Sequence, residues 1–435
     1  MFKNMNIGMK LVTSVAVSIL VMIVILAYII SLKIESSIDA SVRVTMQEAT
    51  NRYANFIQGS LNETIALTKA VSRTINSTIK DKGNISVSEL EILLKNSFDG
   101  SAYADYAFFS LNDKNIISSY NIDSRYLSES GNFGVILVDK DLMNAGGLEV
   151  LQFKDSFRQS PIISEIEKSA KNGDLNTVYV GEPNELDFGN GKFLGLNIAM
   201  PIFDKNQNYI GVVGFTFNLI VFGDLLQDPS LDLYKGNTRA LISDSGIITL
   251  HSNPKLILKP YSQGRTHESA RIIDEAVKNN KNIILDNYVS SAGIQGFVSI
   301  SSFATIGNSS RWSILLTAPS KSVFEPLREV QTTIVIVSAV LLVVILFMVY
   351  MIINMIVGSR IPLLLNSLET FFRFLNHEKV DPKPLKIRAN DEIGKMGTMI
   401  NGNVEKIKAS LIQDQKAIAQ SAETAKAIES GDLTA

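Results

Sequence analysis

Residues Ile334–Val357 read IVIVSAVLLVVILFMVYMIINMIV, with Tyr350 the one ionisable side chain. About 20 apolar residues suffice for a helix to cross the hydrocarbon core of a bilayer, where every backbone polar group must be satisfied internally. A membrane span over 333–357 is therefore expected. Arg360-Ile361-Pro362 comes next, a cation and a proline, and beyond them lie two segments with apolar residues at three- and four-residue spacing. The span thus divides the chain into a long part before it and a shorter part after it.

A second apolar run, Leu11–Ile30, reads LVTSVAVSILVMIVILAYII, with Lys3 and Lys10 before it and Lys33 after it. A cleaved signal peptide also has a basic start and an apolar centre. This run exceeds the usual ~7–15 residues and no small-x-small cleavage site follows, so an uncleaved anchor over 11–31 is expected. Lys3 and Lys10 place residues 1–10 in the cytoplasm by the positive-inside rule. Arg360, Arg373, Lys379, Lys383, Lys386 and Arg388 return the far end to the same side, leaving residues 32–330 outside. Two spans also account for a composition that is 46% hydrophobic over 435 residues.

Lys plus Arg is 41 against 43 for Asp plus Glu, so no basic surface points to nucleic acid. Zero cysteines remove disulfides, thiol nucleophiles and thiolate zinc sites. Only His251, His267 and His377 are present, none in a metal-ligand spacing. There is no GxSxG elbow and no Walker loop, and the spacing of Gly189, Gly191 and Gly195 does not fit a dinucleotide fingerprint. Glu185 with Asp187 is the remaining acid/base candidate, and no catalytic residue, metal or cofactor is assigned.

From Ile34 to about Lys80 there is no proline, and Tyr53, Ile57, Leu61, Ile65, Thr68, Val71, Ile75 and Ile79 recur at helical spacing. One helix of about 65–70 Å is expected, a spine and a dimer contact. Gly83 fits its C-terminal cap, and Ser86-x-x-Glu89 reads as a capping box for a short helix ending near Phe98. An internal repeat comes after it. AFFSLNDKNIISS at 107–119 lines up with ALISDSGIITLHS at 240–252, and the strand pair in 192–217 matches in kind the pair in 295–318. Two antiparallel modules are expected, about 98–228 and 229–320, joined by a helix over Asn218–Leu226. The first module contains a long connection, 121–176, and long connections tend to be functional or disordered. It carries Arg125, Tyr126, Lys154, Phe157 and Arg158, follows Tyr120, and precedes Tyr179, Glu182, Asn184 and Asp187. Aromatic walls with a few charges suit a small polar ligand; an ordinary solvated loop is the alternative for each residue singly. Gly211 and Gly214, within a strand, read as close-packing positions.

After the second span, Ile361, Leu364, Leu368, Phe371 or Phe372, and Leu375 form one stripe. Val380–Ala389, with two prolines, must leave the helix. Asp391-Glu392 then opens a helix bearing Ile393, Met396, Ile400, Val404, Ile407 and Leu411. Two short amphipathic helices cannot bury their stripes alone, whereas parallel packing in a homodimer gives four helices and a shared core.

The Pro362 helix, the connector and Asp391-Glu392-Ile393-Gly394 resemble a HAMP linker with its DExG motif. Pro201-Ile202-Phe203-Asp204 followed by Gly211-Val212-Val213-Gly214 is similar to the strand pair closing a distal Cache module. The whole plan resembles the bacterial methyl-accepting chemotaxis proteins with a double Cache sensor. The resemblance implies an α+β, two-span membrane protein: a long N-terminal helix carrying two PAS-like antiparallel modules in 32–330, a HAMP coiled coil over 358–412, and the start of a second HAMP-like or signalling helix over 413–435. It implies a two-pass receptor of the bacterial inner membrane with a periplasmic sensor. Its partners would be a small-molecule ligand or a periplasmic binding protein, a second copy of the chain, and a chemotaxis kinase with its coupling protein. The same front end also serves sensor kinases and cyclic-nucleotide enzymes, and a membrane-anchored extracytoplasmic enzyme is a third reading of the chain.

Amino-acid-binding members of the family typically carry an Arg-x-Trp-Tyr motif and an Asp just after the Gly-Val-Val-Gly strand. Here the first is nearest to Lys154-Asp155-Ser156-Phe157 and the second falls at Thr216. A cationic anchor survives without the carboxylate that would hold an amine, so a carboxylate, another small metabolite or no direct ligand at all is expected. The candidate ligand residues are Tyr120, Arg125, Lys154, Phe157, Arg158, Tyr179, Glu182, Asp187 and Thr216. The candidate signalling residues are Pro362, Leu364, Leu368, Asp391, Glu392, Gly394, Met396 and Ile400. AIESGDLTA at 427–435 resembles the close of a HAMP first helix and no methylatable coiled coil follows, so a fragment or truncated product is expected.

Overall fold

The computed structural model describes residues 7–112, 114–119, 121–141, 144–226, 228–376 and 378–430. Lys3, Tyr120, His377 and Gly431–Ala435 lie outside these residues. The chain forms two compact units, one of Ile34–Leu327 and one of the residues up to Lys33 with those from Arg328 onward.

The expected long helix is α1 (Ile7–Lys82), which continues without a break through the first apolar run. Within Ile34–Leu327 it buries Val42, Met46, Ile57, Leu61, Ile65, Val71, Ile75 and Ile79. Polar residues on the same side are also buried, and their side chains find partners within the helix. Thr50 donates to the Met46 carbonyl at 2.6 Å and Thr68 to the Thr64 carbonyl at 2.7 Å. Gly83, at φ 79°, stops the helix by donating to the Ile79 carbonyl at 2.8 Å. Strand β1 (Ile85–Ser86) leads into α2 (Val87–Phe98), where Ser86 and Glu89 form the expected capping box.

The first sheet is built from β2 (Tyr106–Leu111), β4 (Gly134–Asp139), β5 (Leu148–Leu151), β6 (Tyr179–Val180), β7 (Asn184–Asp187), β8 (Lys192–Phe203) and β9 (Tyr209–Asn218). Its order is β5-β4-β2-β9-β8-β6, with β7 also on β8, and every pair is antiparallel. Between β2 and β4, β3 (Ile117–Ser118) pairs in parallel with β1 instead. The repeat therefore shifts at its second strand: β2 takes β4 as its antiparallel neighbour, because Ile117 is drawn to Ile85 at the edge of the α1–α2 core. The connection over 121–176 is also more structured than expected. It supplies β4, β5, α3 (Asp155–Arg158) and α4 (Pro161–Ser169).

Helix α5 (Leu219–Leu226) leads to the second sheet, made of β10 (Thr238–Ser243), β11 (Ile248–His251), β12 (Ile283–Val289), β13 (Gln295–Ala304) and β14 (Arg311–Pro319), with α6 (Glu268–Lys278) packed on it. The order is β11-β10-β14-β13-β12, again antiparallel. It repeats the plan of the first sheet, with β4 standing where β11 stands here.

The close approach read at Gly211 and Gly214 is explicit. A Cβ on Gly211 would lie 2.2 Å from the Ser110 carbonyl oxygen, and one on Gly214 2.3 Å from that of Ile198. Pro201 lies where β8 no longer pairs with β6 or β7, a strand position that tolerates a missing N–H. Ser72 and Asn76 of α1 donate to its carbonyl at 3.1 and 3.2 Å, and the Phe203 N–H donates to Asn76 at 2.7 Å. The strand pair is thereby fastened to the helix.

Helix α7 (Ser320–Val323) ends the second sheet region and α8 (Glu325–Ile353) carries the second apolar run. Two helices, α1 and the one begun by α8, are long and apolar enough to cross a membrane, and their most apolar stretches are unburied. The α-helix breaks at the end of the second apolar run, before Pro362. A π turn occupies Asn354–Gly358, with the Ser359 N–H reaching the Asn354 carbonyl at 2.9 Å. Pro362 then sits in the first turn of α9 (Ile361–Leu375), where no backbone donor is needed. The extended connector precedes α10 (Glu392–Glu429). Asp391 caps α10 by accepting from the Gly394 N–H at 2.9 Å and pairs with Arg360 at 2.6 Å. Asn401 of α10 bonds both the N–H and the carbonyl of Leu385 in the connector, at 2.7 and 2.9 Å.

Candidate ligand-binding site

Alternation along β2 puts Tyr106 and Phe108 on one face of the first sheet and Ala107 and Phe109 on the other. The second face packs on α1 and α2. Against the first lie Phe153, Phe157, the isoleucines of α4, Phe188 and Phe193. Tyr106 stacks on Phe193 with ring centroids 4.6 Å apart, and Phe188 meets Tyr106 edge-on at 4.9 Å. Phe157 lies 5.1 Å from Phe108 and 5.4 Å from Phe188. Of the rings expected as ligand walls, Phe157 packs within this layer, Tyr179 lies at its edge and Tyr126 belongs to the core on the opposite face, and the rings of the layer fill one another's space as a core does.

The polar residues ring this layer. Lys154 immediately precedes α3, and its Nζ lies 3.4 Å from where a Cβ on Gly189 would be, in the turn between β7 and β8. Asp187 accepts from the Gly189 N–H at 2.7 Å, and Asn190 donates to the Tyr106 hydroxyl at 2.9 Å. Burial pushes that hydroxyl's pKa up, the bond from Asn190 opposing it. Asp155, which follows Lys154, accepts from the Ser130 N–H and from Asn132, both at 3.0 Å, and so fixes the start of α3. Arg158 donates to Asn112 at 3.0 Å. Among the described residues, neither Lys154 nor Arg158 has a carboxylate partner.

The other candidates are placed differently. Arg125 is half exposed and engaged by Asp123 at 2.7 Å. Glu182 is exposed, and Tyr179 is half buried beside the ring cluster. Thr216, fully buried, stands opposite Tyr106 and donates to Asn197. The structure thus gathers Lys154, Phe157, Asp187 and Tyr179 about one layer and leaves the Arg125 guanidinium to its own aspartate.

Sequence reasoning missed Asp105 and Asp139. Burial, reinforced by the Asp139 charge and opposed by a hydrogen bond with Asn218, raises the Asp105 pKa to about 7. A polar residue at the edge of an apolar strand gives no periodic signal, and only the fold brings these two carboxylates together.

No protein-family model and no curated protein sequence matches the chain. Among solved structures, the periplasmic sensory domain of the Campylobacter jejuni chemoreceptor Tlp1 is similar, with TM-score 0.60 and 29% identity over 66% of this chain and 99% of that domain. A methyl-accepting chemotaxis protein X is similar in fold, with TM-score 0.51 and 17% identity over 64% of this chain and 99% of its own. The α+β, antiparallel architecture is that of chemoreceptor sensory domains, and a sensor role follows from it at that level.

Proposed function

We propose that the chain is the sensing and transmitting part of a bacterial chemoreceptor, two-pass in the inner membrane, whose periplasmic unit binds a small carboxylate. The observation that carries this reading is the unit Ile34–Leu327, alike in fold and at 29% identity to a chemoreceptor sensory domain, bracketed by two apolar runs. Its two sheets are two Cache-like modules. Lys154 and Arg158, which have no carboxylate partner among the described residues, hold the ligand's charge, with Tyr179, Asp187 and Thr216 as further candidates. The signal leaves along α8.

The α9–connector–α10 segment acts as a HAMP-like element. Leu364 is buried, whereas Leu363, Phe372, Met396 and Met399 are exposed, and Leu368 and Ile400 are half covered. An apolar face left open in one chain suits a second copy of it. Output would pass to a chemotaxis kinase and coupling protein. Binding can shift a two-state receptor only by its difference in affinity between the states.

The test is a thermal-shift screen of Ile34–Leu327 against small carboxylates, since a ligand of the native state raises its apparent stability. For a ligand so found, Lys154→Ala or Arg158→Ala should weaken binding roughly ten- to a hundred-fold, the worth of a charge-assisted contact of about 1.5–3 kcal/mol. Unchanged affinity in both variants would reject this site.

A further inference from the structure

The second sheet has a cavity of its own, about 190 Å³ in volume, at the end of the sheet where β11 and β14 finish and β12 turns into β13. Its lining includes Thr238, His251, Arg265, Tyr288, Gln295 and Thr317, and no aspartate or glutamate. Arg265 belongs to the loop before α6. Its guanidinium lies over the Tyr261 ring, 4.1 Å from the centroid, and Nη1 donates to the Tyr261 carbonyl. Its Nε is buried without a partner, and among the described residues no carboxylate pairs with this cation. A buried cationic donor left open in this way is costly unless something accepts from it.

His251 complements it. Nδ1 accepts from the Asn253 N–H at 2.8 Å, so the ring proton is carried on Nε2 and that edge is a donor. Burial, with the Arg265 charge beside it, lowers the His251 pKa to about 4, so the ring is neutral and does not add a second charge. One cation, one neutral donor and no acid make a site for a single negative charge. The volume is below the ~300 Å³ at which sites for drug-sized ligands begin, which limits the guest to a few heavy atoms.

We propose that this cavity is a second ligand site, which takes a small monocarboxylate of about two to four carbons with its carboxylate on Arg265 and His251. It is independent of Lys154 and Arg158. An arginine offers a carboxylate several fixed N–H groups, a role a point charge does not reproduce.

The test uses the full chain in nanodiscs and sodium propionate as the probe, titrated calorimetrically to about 10 mM, ten times a ~1 mM dissociation constant. Wild type should bind propionate, propionamide should not bind, and Arg265→Gln should weaken binding at least roughly tenfold. Ala292→Trp, on the exposed turn that borders the cavity, should abolish binding by filling it, and it decides the matter if Arg265→Gln fails to fold. Absence of propionate binding to wild type, or equal binding by Arg265→Gln or Ala292→Trp, would overturn the proposal. Loss in Lys154→Ala with retention in Arg265→Gln would assign propionate to the first sheet and also overturn it.

Discussion

Phe157→Ala should destabilise the unit Ile34–Leu327 by about 3–5 kcal/mol, the range for removing a buried ring from a packed core. Phe157 is 4% exposed. Its ring lies 5.1 Å from that of Phe108, 5.8 Å from Phe153 and 5.4 Å from Phe188, so its removal strips contacts from three neighbours at once. Nearby backbone is held by the bonds from Ser130 and Asn132 to Asp155 and has little freedom to collapse into the gap. Urea denaturation of the purified unit measures this. A loss below about 1.5 kcal/mol would show that the ring borders an open site and is not part of the core.

Gly394→Ala should disrupt the start of α10. The added Cβ would lie 1.8 Å from the Ala389 carbonyl oxygen, a backbone atom that cannot rotate aside. The connector or the helix must move, at a cost at or above the upper end of the ~1–3 kcal/mol typical of overpacking. The movement would also strain the cap from Asp391 to the Gly394 N–H and the Asp391–Arg360 pair. In membranes, Leu368→Cys and Ile400→Cys should cross-link between subunits, and addition of Gly394→Ala should cut both yields several-fold. Equal yields with and without Gly394→Ala would mean that the glycine is not needed for this packing, and better cross-linking at Lys406→Cys would reject the helix arrangement itself.

These two residues also show how far the sequence could be read. Gly394 stood out because Asp391-Glu392-Ile393-Gly394 comes after a proline-bearing connector and opens a helix, a local pattern with a local cause. The same holds for Ser86 with Glu89, and for the β8–β9 and β13–β14 pairs with their polar turns. Phe157 was visible as an aromatic in a long connection, and its burial was not, since Phe108, Phe153, Phe188 and Phe193 come from separate segments of the chain. Strand β4 was hidden for a related reason. All six residues, Gly134–Asp139, are buried, and a strand covered on both faces lacks the alternation that marks a half-exposed one. Arg265 lies in a loop with no repeating pattern, and its distinguishing feature, the missing carboxylate partner, exists only in three dimensions.

The two-pass arrangement proposed above places the sheet-bearing unit and the α9–α10 segment on opposite sides of one membrane. Single cysteines at the exposed positions Ser230 and Ser410 test this in cells with a membrane-impermeant thiol reagent, because the chain has no cysteine of its own. Ser230→Cys should label in intact or outer-membrane-permeabilised cells, and Ser410→Cys only after lysis. Labelling of Ser410→Cys with protection of Ser230→Cys, or equal labelling of both before lysis, would contradict the arrangement.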